Sequence, residues 1–390
     1  MVHNYYQQPG GEDQSFLAEA GLLSAFGHDV TRHTVHSNEV KALGVARTAI
    51  YTIWNPSSFQ QITELIKENQ IQVVHFQNTF PLISPAAYYA ARSAGAIVIQ
   101  ALRNYRMTCV NGLLYRDGNV CELCVGRFAP TPGILHRCYR NSVAGSAVVA
   151  GMVSAHKLIG TYRRRVDLFV ATSAFVRQKY VEAGIEAAQI VVKPNVVAPD
   201  PGAGMGTGGY ALYVGRLTDE KGVRTLLRTW ESGRLPFPLK IVGEGPLGPE
   251  VKRAAERNAD IEYLGLRSLA ETYELMGDAS VLVVPSEWHE PFGRVVIEAF
   301  AKGTPVVAAK MGGLTELISA GQTGELFNAG DSTDLVEKVL TLTASPEHLA
   351  RLRQNCRQAY LDAYAPERNH ELLMAIYREA IQRRERASRI

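Results

Sequence analysis

Glu290 and Glu298 stand with seven residues between them in the stretch PSEWHEPFGRVVIEAFAKGTPVVA, which runs from Pro285 to Ala308. An ionised carboxylate is a pure acceptor that can take two hydroxyl hydrogen bonds. If a helix starts near Pro291, a rise of about 1.5 Å per residue sets the two acids roughly 12 Å apart on neighbouring faces. That span matches a folded nucleotide-sugar, with one acid on the sugar and the other on the ribose. Phe292, Gly293 and Arg294 are then expected in the first turn, where backbone N–H groups lack partners and the helix dipole favours an anion such as a diphosphate. Gly293 lets the backbone come close to such a group. The competing reading is a capped surface helix bearing two solvated acids, and spacing alone does not separate the two.

Other residues with chemical capacity gather nearer the start of the chain. Gly10 and Gly11 follow a short strand and precede an expected helix, a place where amides can approach a ligand. His75 and Gln77 stand at the end of VVHFQ and share one side of the strand, because side chains alternate with period two. His75 is read equally as a functional group or as a satisfied core histidine. Cys109, Cys121, Cys124 and Cys138 lie in one loop-rich segment with a single Cys-x2-Cys pair, and His136 is near enough to replace one sulfur. Four local thiols outside a secreted scaffold point to a structural zinc site, with labile disulfides or plain buried cysteines as the other readings.

The elements that must position these residues alternate between apolar runs and helix-like periodic segments. IQVVHF, AIVIQAL and LFVATS read as buried strands in the first half; YALYVG, LKIVGEG, IEYLG, ASVLVVPS and TPVVAA read likewise in the second. This rhythm predicts an α/β protein with two Rossmann-like parallel-sheet domains facing across a cleft. The glycine-rich passage 198–209 reads as a linker. The expected domains are therefore 1–197, carrying a cysteine-rich insert over 105–140, and 210–365. A terminal amphipathic helix over 366–390 follows, with Leu372, Leu373, Ile376, Tyr377 and Ile381 on its apolar side, placed to pack back on the first domain.

A chain of 390 residues with a net charge of only +3 has room for two cores and lacks the basic excess of a dedicated nucleic-acid binder. No apolar run reaches the roughly 20 residues that span a bilayer, and the start lacks a signal-peptide pattern, so a cytoplasmic location is expected. AVVAGMVSAHKLIGTYRRR joins an apolar run to His156, Lys157 and Arg163, Arg164 and Arg165. It reads as a buried helix with a solvated basic end, or as a peripheral contact with the inner face of an anionic membrane.

The Pro285–Ala308 wording resembles the donor signature of family 4, the metal-independent retaining glycosyltransferases of GT-B fold, and in particular a cysteine-bearing subset similar to enzymes of bacterial surface polysaccharides. The resemblance continues through YVGRLTDEKG (Tyr213–Gly222), IVGEGP, YLG, KMGGLTELI and GQTGELF, and so covers the second half almost continuously. It implies that Glu290 contacts the transferred sugar, that the backbone amides at Phe292 and Gly293 hold sugar or phosphate oxygens, that Arg294 and Val295 also bind the donor, and that Glu298 binds the ribose diol. Arg216 and Lys221 become the cations on the diphosphate, Gly243, Gly245 and Leu264 surround the nucleobase, and Gly10, Gly11 and Arg103 touch the donor from the first domain, with Asn104 lining the cleft beside Arg103.

The implied activity is hexosyl transfer with retention from a UDP- or GDP-sugar to a glycan or polyprenyl-linked acceptor, with no cofactor for catalysis. Gln77 departs from the family, which often carries a histidine just after this strand that faces the reacting sugar, and leaves His75 and Gln77 as catalytic candidates there. Two alternatives remain at this stage: a sugar-nucleotide epimerase of similar fold, and a non-catalytic nucleotide-sugar-binding protein. A nicotinamide dehydrogenase is disfavoured because the first strand–helix turn lacks the G-x-G-x-x-G pattern.

Overall fold

The computed structural model describes residues 1–8 and 10–387. In chain order its first strands are β1 (Val2–Tyr5), β2 (His33–His36), β3 (Val73–Asn78), β4 (Ile97–Leu102), the hairpin pair β5 (Tyr115–Arg116) and β6 (Asn119–Val120), β7 (Leu168–Ala171) and β8 (Ile190–Val192). They are followed by β9 (Ala211–Val214), β10 (Leu239–Val242), β11 (Ile261–Gly265), β12 (Val281–Val284), β13 (Val306–Ala309) and β14 (Gly324–Phe327).

Two compact units result. One comprises Met1–Leu114, Cys121–Asn195 and the chain from Asn369 onward; the other comprises Tyr115–Val120 and Val196–Arg368. The first holds a six-stranded sheet in the order β2-β1-β3-β4-β7-β8, the second a six-stranded sheet in the order β11-β10-β9-β12-β13-β14. Neighbours within both sheets run parallel. Counted from β9, the second order is 3-2-1-4-5-6, the doubly wound arrangement, whose direction of winding reverses between β9 and β12. Loops leaving the carboxyl ends of those two strands therefore flank the crevice where such sheets take ligands.

Period-two alternation divides the second unit's core into two layers. Ala211 and Tyr213, Val281 and Val283, and Val307 and Ala309 face one layer, capped by Leu226 and Trp230. Leu212, Leu282 and Val284, and Val306 and Ala308 face the other, capped by Val296, Ile297 and Phe300. Covering both faces with helices requires near-continuous apolar strands, and β12 (VLVV) and β13 (VVAA) are buried at every position.

The glycine-rich passage expected to link the domains lies wholly inside the second unit. Gly204, Gly206 and Gly208 donate backbone hydrogen bonds to Lys302, Gly277 and Asp278, and Arg353 donates to the Gly204 carbonyl. A Cβ on Gly204 would sit 2.3 Å from Gly277 Cα, so these glycines serve close packing of a strap rather than flexibility. The last helix, Pro366–Ala387, places Ile376 and Ala380 against Ile97, Ile99, Leu168 and Val170 of the first sheet.

Candidate functional site

The loop after β9 is built before it can bind anything. Tyr213 Oη donates to the Arg216 carbonyl at 2.8 Å, Leu217 N–H to the Glu244 carbonyl at 2.9 Å, and Leu247 N–H to the Leu217 carbonyl at 2.9 Å. Gly222, at φ +70°, closes the turn where a Cβ would lie 1.8 Å from the Pro285 carbonyl oxygen. Gly243 and Gly245, expected around a nucleobase, have a packing duty here: a Cβ on them would fall 1.9 Å from Gly215 O and 2.5 Å from Leu217 O. Arg216 ends this arrangement half-exposed, with its guanidinium 3.6 Å from Glu220.

The loop after β12 delivers Glu290 to the same place. Lys221 Nζ donates to both Glu290 oxygens, at 2.9 Å to Oε1 and 2.8 Å to Oε2. Ser286 Oγ (3.0 Å) and Trp288 Nε1 (2.7 Å) donate to Oε2 as well. The Lys221 ammonium also lies 5.1 Å from the centre of the Trp288 ring, within cation–π range. The main chain is fixed from behind, where Gly313 N–H donates to the Glu290 carbonyl at 2.7 Å. A Cβ on Gly312 would come within 2.5 Å of that same oxygen. Glycines in KMGGL thus let two loops touch.

The helix that follows is Arg294–Ala301, with Gly293 as its left-handed cap at φ +95°. This corrects the expected start near Pro291. Phe292 and Gly293 precede the first turn, and the Phe292 side chain is buried in the same core layer as Val296 and Leu314. The left-handed turn at Gly293 is what postpones the helix, because it reverses the chain against Leu314, whose Cδ2 leaves only 2.4 Å for a Cβ. Arg294 donates to Glu298 Oε1 at 2.7 Å and to the Val196 carbonyl at 3.1 Å. Burial pushes the Glu298 carboxyl up, opposed by Arg294. Leu264 and Val295 are partly buried against the same core layer.

In the first unit three of the expected site residues meet in one hydrogen-bonded network. Arg103 donates to Glu19 Oε2 at 2.9 Å, to Gln77 Oε1 at 2.7 Å and to Asn195. Gln77 Nε2 donates to Glu19 Oε2 at 2.7 Å, and Lys193 lies 2.7 Å from Glu19 Oε1. His75, 1% exposed, contacts Gln77 at 3.3 Å and Tyr377 Oη at 3.0 Å. Of the two readings of His75, the satisfied core histidine is the one the geometry supports. Burial pushes His75 down to about 4, with Glu19 opposing and Arg103 and Lys193 reinforcing. Burial alone would raise Glu19, but Lys193 and Arg103 hold it well below the usual carboxylate range.

The space over Gly10 and Gly11 is open, with nothing within 4 Å of a Cβ on either. Asp13 accepts from Gly10 N–H at 2.9 Å and is itself held by His3 at 2.7 Å, which fixes this turn at the head of the helix Gly11–Ala25. Asn104 donates to Glu12 Oε1 at 2.8 Å.

The cysteines do not form the expected tetrathiolate. Among the described residues no group of three or more His, Cys, Asp or Glu side chains is arranged to hold a metal ion. Cys109 Sγ donates to Asn111 Oδ1 at 3.0 Å and Cys124 Sγ to the Pro130 carbonyl at 3.9 Å. Burial and the neighbouring Cys109, Cys138 and Cys121 push the Cys124 thiol up to about 11.

Sequence reasoning missed Ser286 and Trp288, although both lie within the motif that carries Glu290, and it missed Glu19 and Lys193, whose pairing joins positions far apart in the chain. Comparison with known proteins agrees with the geometry. Residues 205–359 match the family model described as "Glycosyl transferases group 1". An uncharacterized glycosyltransferase of Methanocaldococcus jannaschii is 34% identical over 151 residues, 38% of this chain and 42% of that protein, so the chain spans less than half of that relative. An uncharacterized 42.6 kDa protein in the cps region of Klebsiella pneumoniae is 27% identical over 353 residues, 80% of this chain and 84% of that one. The crystal structure of Anabaena HepE in complex with UDP-glucose superposes with a TM-score of 0.66 at 17% identity, covering 96% of this chain and 99% of that one. The matched segment takes in the β9 and β12 loops and resembles the group 1 glycosyltransferases, and the two parallel-sheet, Rossmann-like units have the GT-B fold.

Proposed function

We propose that this protein transfers a hexose from a UDP- or GDP-sugar to a glycan or polyprenyl-linked acceptor, with retention of anomeric configuration, in the synthesis of a cell-surface polysaccharide or glycoconjugate. The observation that carries the reading is the Lys221–Glu290 pair, held where the loops of β9 and β12 flank the switch point of the second sheet. A diphosphate arriving there draws Lys221 toward itself and frees a carboxylate oxygen for a sugar hydroxyl. Arg216, half-exposed, is free to turn onto the same phosphates. As the bond from the anomeric carbon to the diphosphate oxygen breaks, these two cations offset the charge that builds on the leaving group. The departing phosphate takes the acceptor's proton while the acceptor oxygen bonds to the same face of the sugar. This route needs no protein base, and no metal takes part in it.

The UDP-glucose named for HepE and the cps region named for the Klebsiella relative support a nucleotide-sugar donor and a polysaccharide product. The deciding measurement is a thermal-stability screen against nucleotide-sugars, followed by product analysis with and without acceptor. Selective stabilisation by one donor and acceptor-dependent release of its nucleoside diphosphate support the reading. An isomerised donor formed without acceptor would establish the epimerase instead, and binding without turnover the silent protein.

The acceptor side of the reading places the protein in the cytoplasm at an anionic membrane face. No helix among the described residues is long and apolar enough to cross a membrane. Leu158, Ile159 and Phe128 are exposed at 74, 46 and 57%. Lys157 binds the Arg127 carbonyl at 2.8 Å, which brings the end of the helix Val143–Leu158 beside Phe128, with Arg163 and Arg164 exposed close by. Apolar side chains ringed by cations suit an anionic lipid interface. Flotation with phosphatidylglycerol vesicles but not phosphatidylcholine vesicles is expected, and no flotation with either removes the membrane from the reading.

A further inference from the structure

We propose that Trp288 and Ser286 are positioning residues that occupy one oxygen of Glu290 and so reserve the other for the sugar of the donor; this rests on the donor reading above. The two oxygens of Glu290 differ sharply in their partners. Oε2 receives three donors: Ser286 Oγ at 3.0 Å, Trp288 Nε1 at 2.7 Å and Lys221 Nζ at 2.8 Å. Among the described residues Oε1 receives Lys221 Nζ alone, at 2.9 Å. Once phosphate draws the lysine away, Oε1 has no donor left among the described residues, whereas Oε2 keeps two neutral ones. The carboxylate stays in place with a single oxygen offered to a hydroxyl.

Both positioning residues are themselves fixed. Ser286 is 1% and Trp288 5% exposed, and both precede Glu290 on the segment that leaves β12. The indole acts through two features at once. Its N–H points at Oε2, and its face lies 5.1 Å from the Lys221 ammonium, so one side chain orients the acid and its cation together. A phenylalanine keeps the face and loses the N–H. The ligand class that follows is a sugar carrying a free hydroxyl where it meets Oε1. The energy of that contact goes into recognising the hexose and leaves the nucleotide untouched.

The test compares two affinities in each variant by calorimetry, using whichever pair the wild type binds, UDP with UDP-glucose or GDP with GDP-mannose. In Trp288→Phe the nucleoside diphosphate should bind within about twofold of wild type, while the nucleotide-sugar weakens about tenfold, the scale of one hydrogen bond. Ser286→Ala should move the same way by a smaller factor, and Ser286→Thr, which keeps the hydroxyl, should restore it. Wild type that binds neither member of either pair refutes the donor reading itself. Wild type that binds both, with variants in which the two ligands weaken equally or not at all, refutes the positioning role alone. Should Trp288→Phe not fold, the Ser286 variants decide by the same criterion.

Discussion

The Lys221 ammonium spans both oxygens of Glu290, so the cation of the β9 loop and the acid of the β12 loop form one unit. Groups acting as a unit are not additive. Lys221→Ala and Glu290→Gln should each lower kcat/KM by about 10²–10³-fold, and the double variant should be little worse than either. Steady-state kinetics alongside melting curves checks this; losses that multiply would show two independent groups.

Glu298 is expected to take the ribose diol in competition with Arg294, which donates to its Oε1 at 2.7 Å. Glu298→Gln should bind the nucleoside diphosphate about tenfold more weakly, and should lose the wild type's preference for ribose over the 2′-deoxy form. Burial raises the Glu298 carboxyl, so the acceptor charge disappears as pH falls through that raised value. Ribose preference in the wild type should therefore fade on acidification and hold on the alkaline side. Competition binding across pH reads both effects.

Gly222 combines φ +70° with a Cβ position 1.8 Å from the Pro285 carbonyl, whereas Gly209 has φ +64° and nothing within 4 Å. Gly209→Ala should cost about 1 kcal/mol of backbone strain. Gly222→Ala should cost more than about 3 kcal/mol, since the β9 and β12 loops must separate. Chemical denaturation of the pair isolates the steric part. Equal losses would mean that the loops do not pack as described.

His75 has a folded-state value near 4, below its ordinary value of about 6.5. The unfolded chain therefore binds the extra proton first. The stability tied to neutral His75 is fully present above about pH 6.5 and is lost as pH falls toward 4. The loss is on the order of 3 kcal/mol. Urea denaturation between pH 4 and 7 should show the wild-type midpoint falling with acid, and His75→Gln should flatten that slope.

Legibility from sequence followed the locality of each feature. β12 and β13 announce themselves because strands buried on both faces must be apolar throughout. Glu290 and Lys221 could be named because each lies in a short run whose wording is characteristic. What stayed hidden depends on partners remote in the chain. The Glu19 carboxylate looks like an ordinary helix surface residue until Lys193 and Arg103 are seen beside it. Arg103 and Gln77, which the sequence offers as site residues, join the same network. The helix start was misplaced because Gly293 reads equally as a first-turn residue or as a left-handed cap, and only Leu314 decides. The strap 198–209 was misread for a related reason: glycines that permit close packing and glycines that permit freedom look alike in a string of letters.

Ile376 and Ala380 complete the apolar layer over β4 and β7, and Asn369 accepts the Lys193 ammonium at 2.8 Å. A ribosome delivers these residues after the whole stretch Val196–Arg368 has emerged. The sheet begun first must wait with Ile97, Ile99, Leu168 and Val170 bare, while the later sheet already has nearly all its chain. The order of translation and the order of folding should run opposite to each other, and the early sheet is the one that would need shelter from a chaperone in the interval.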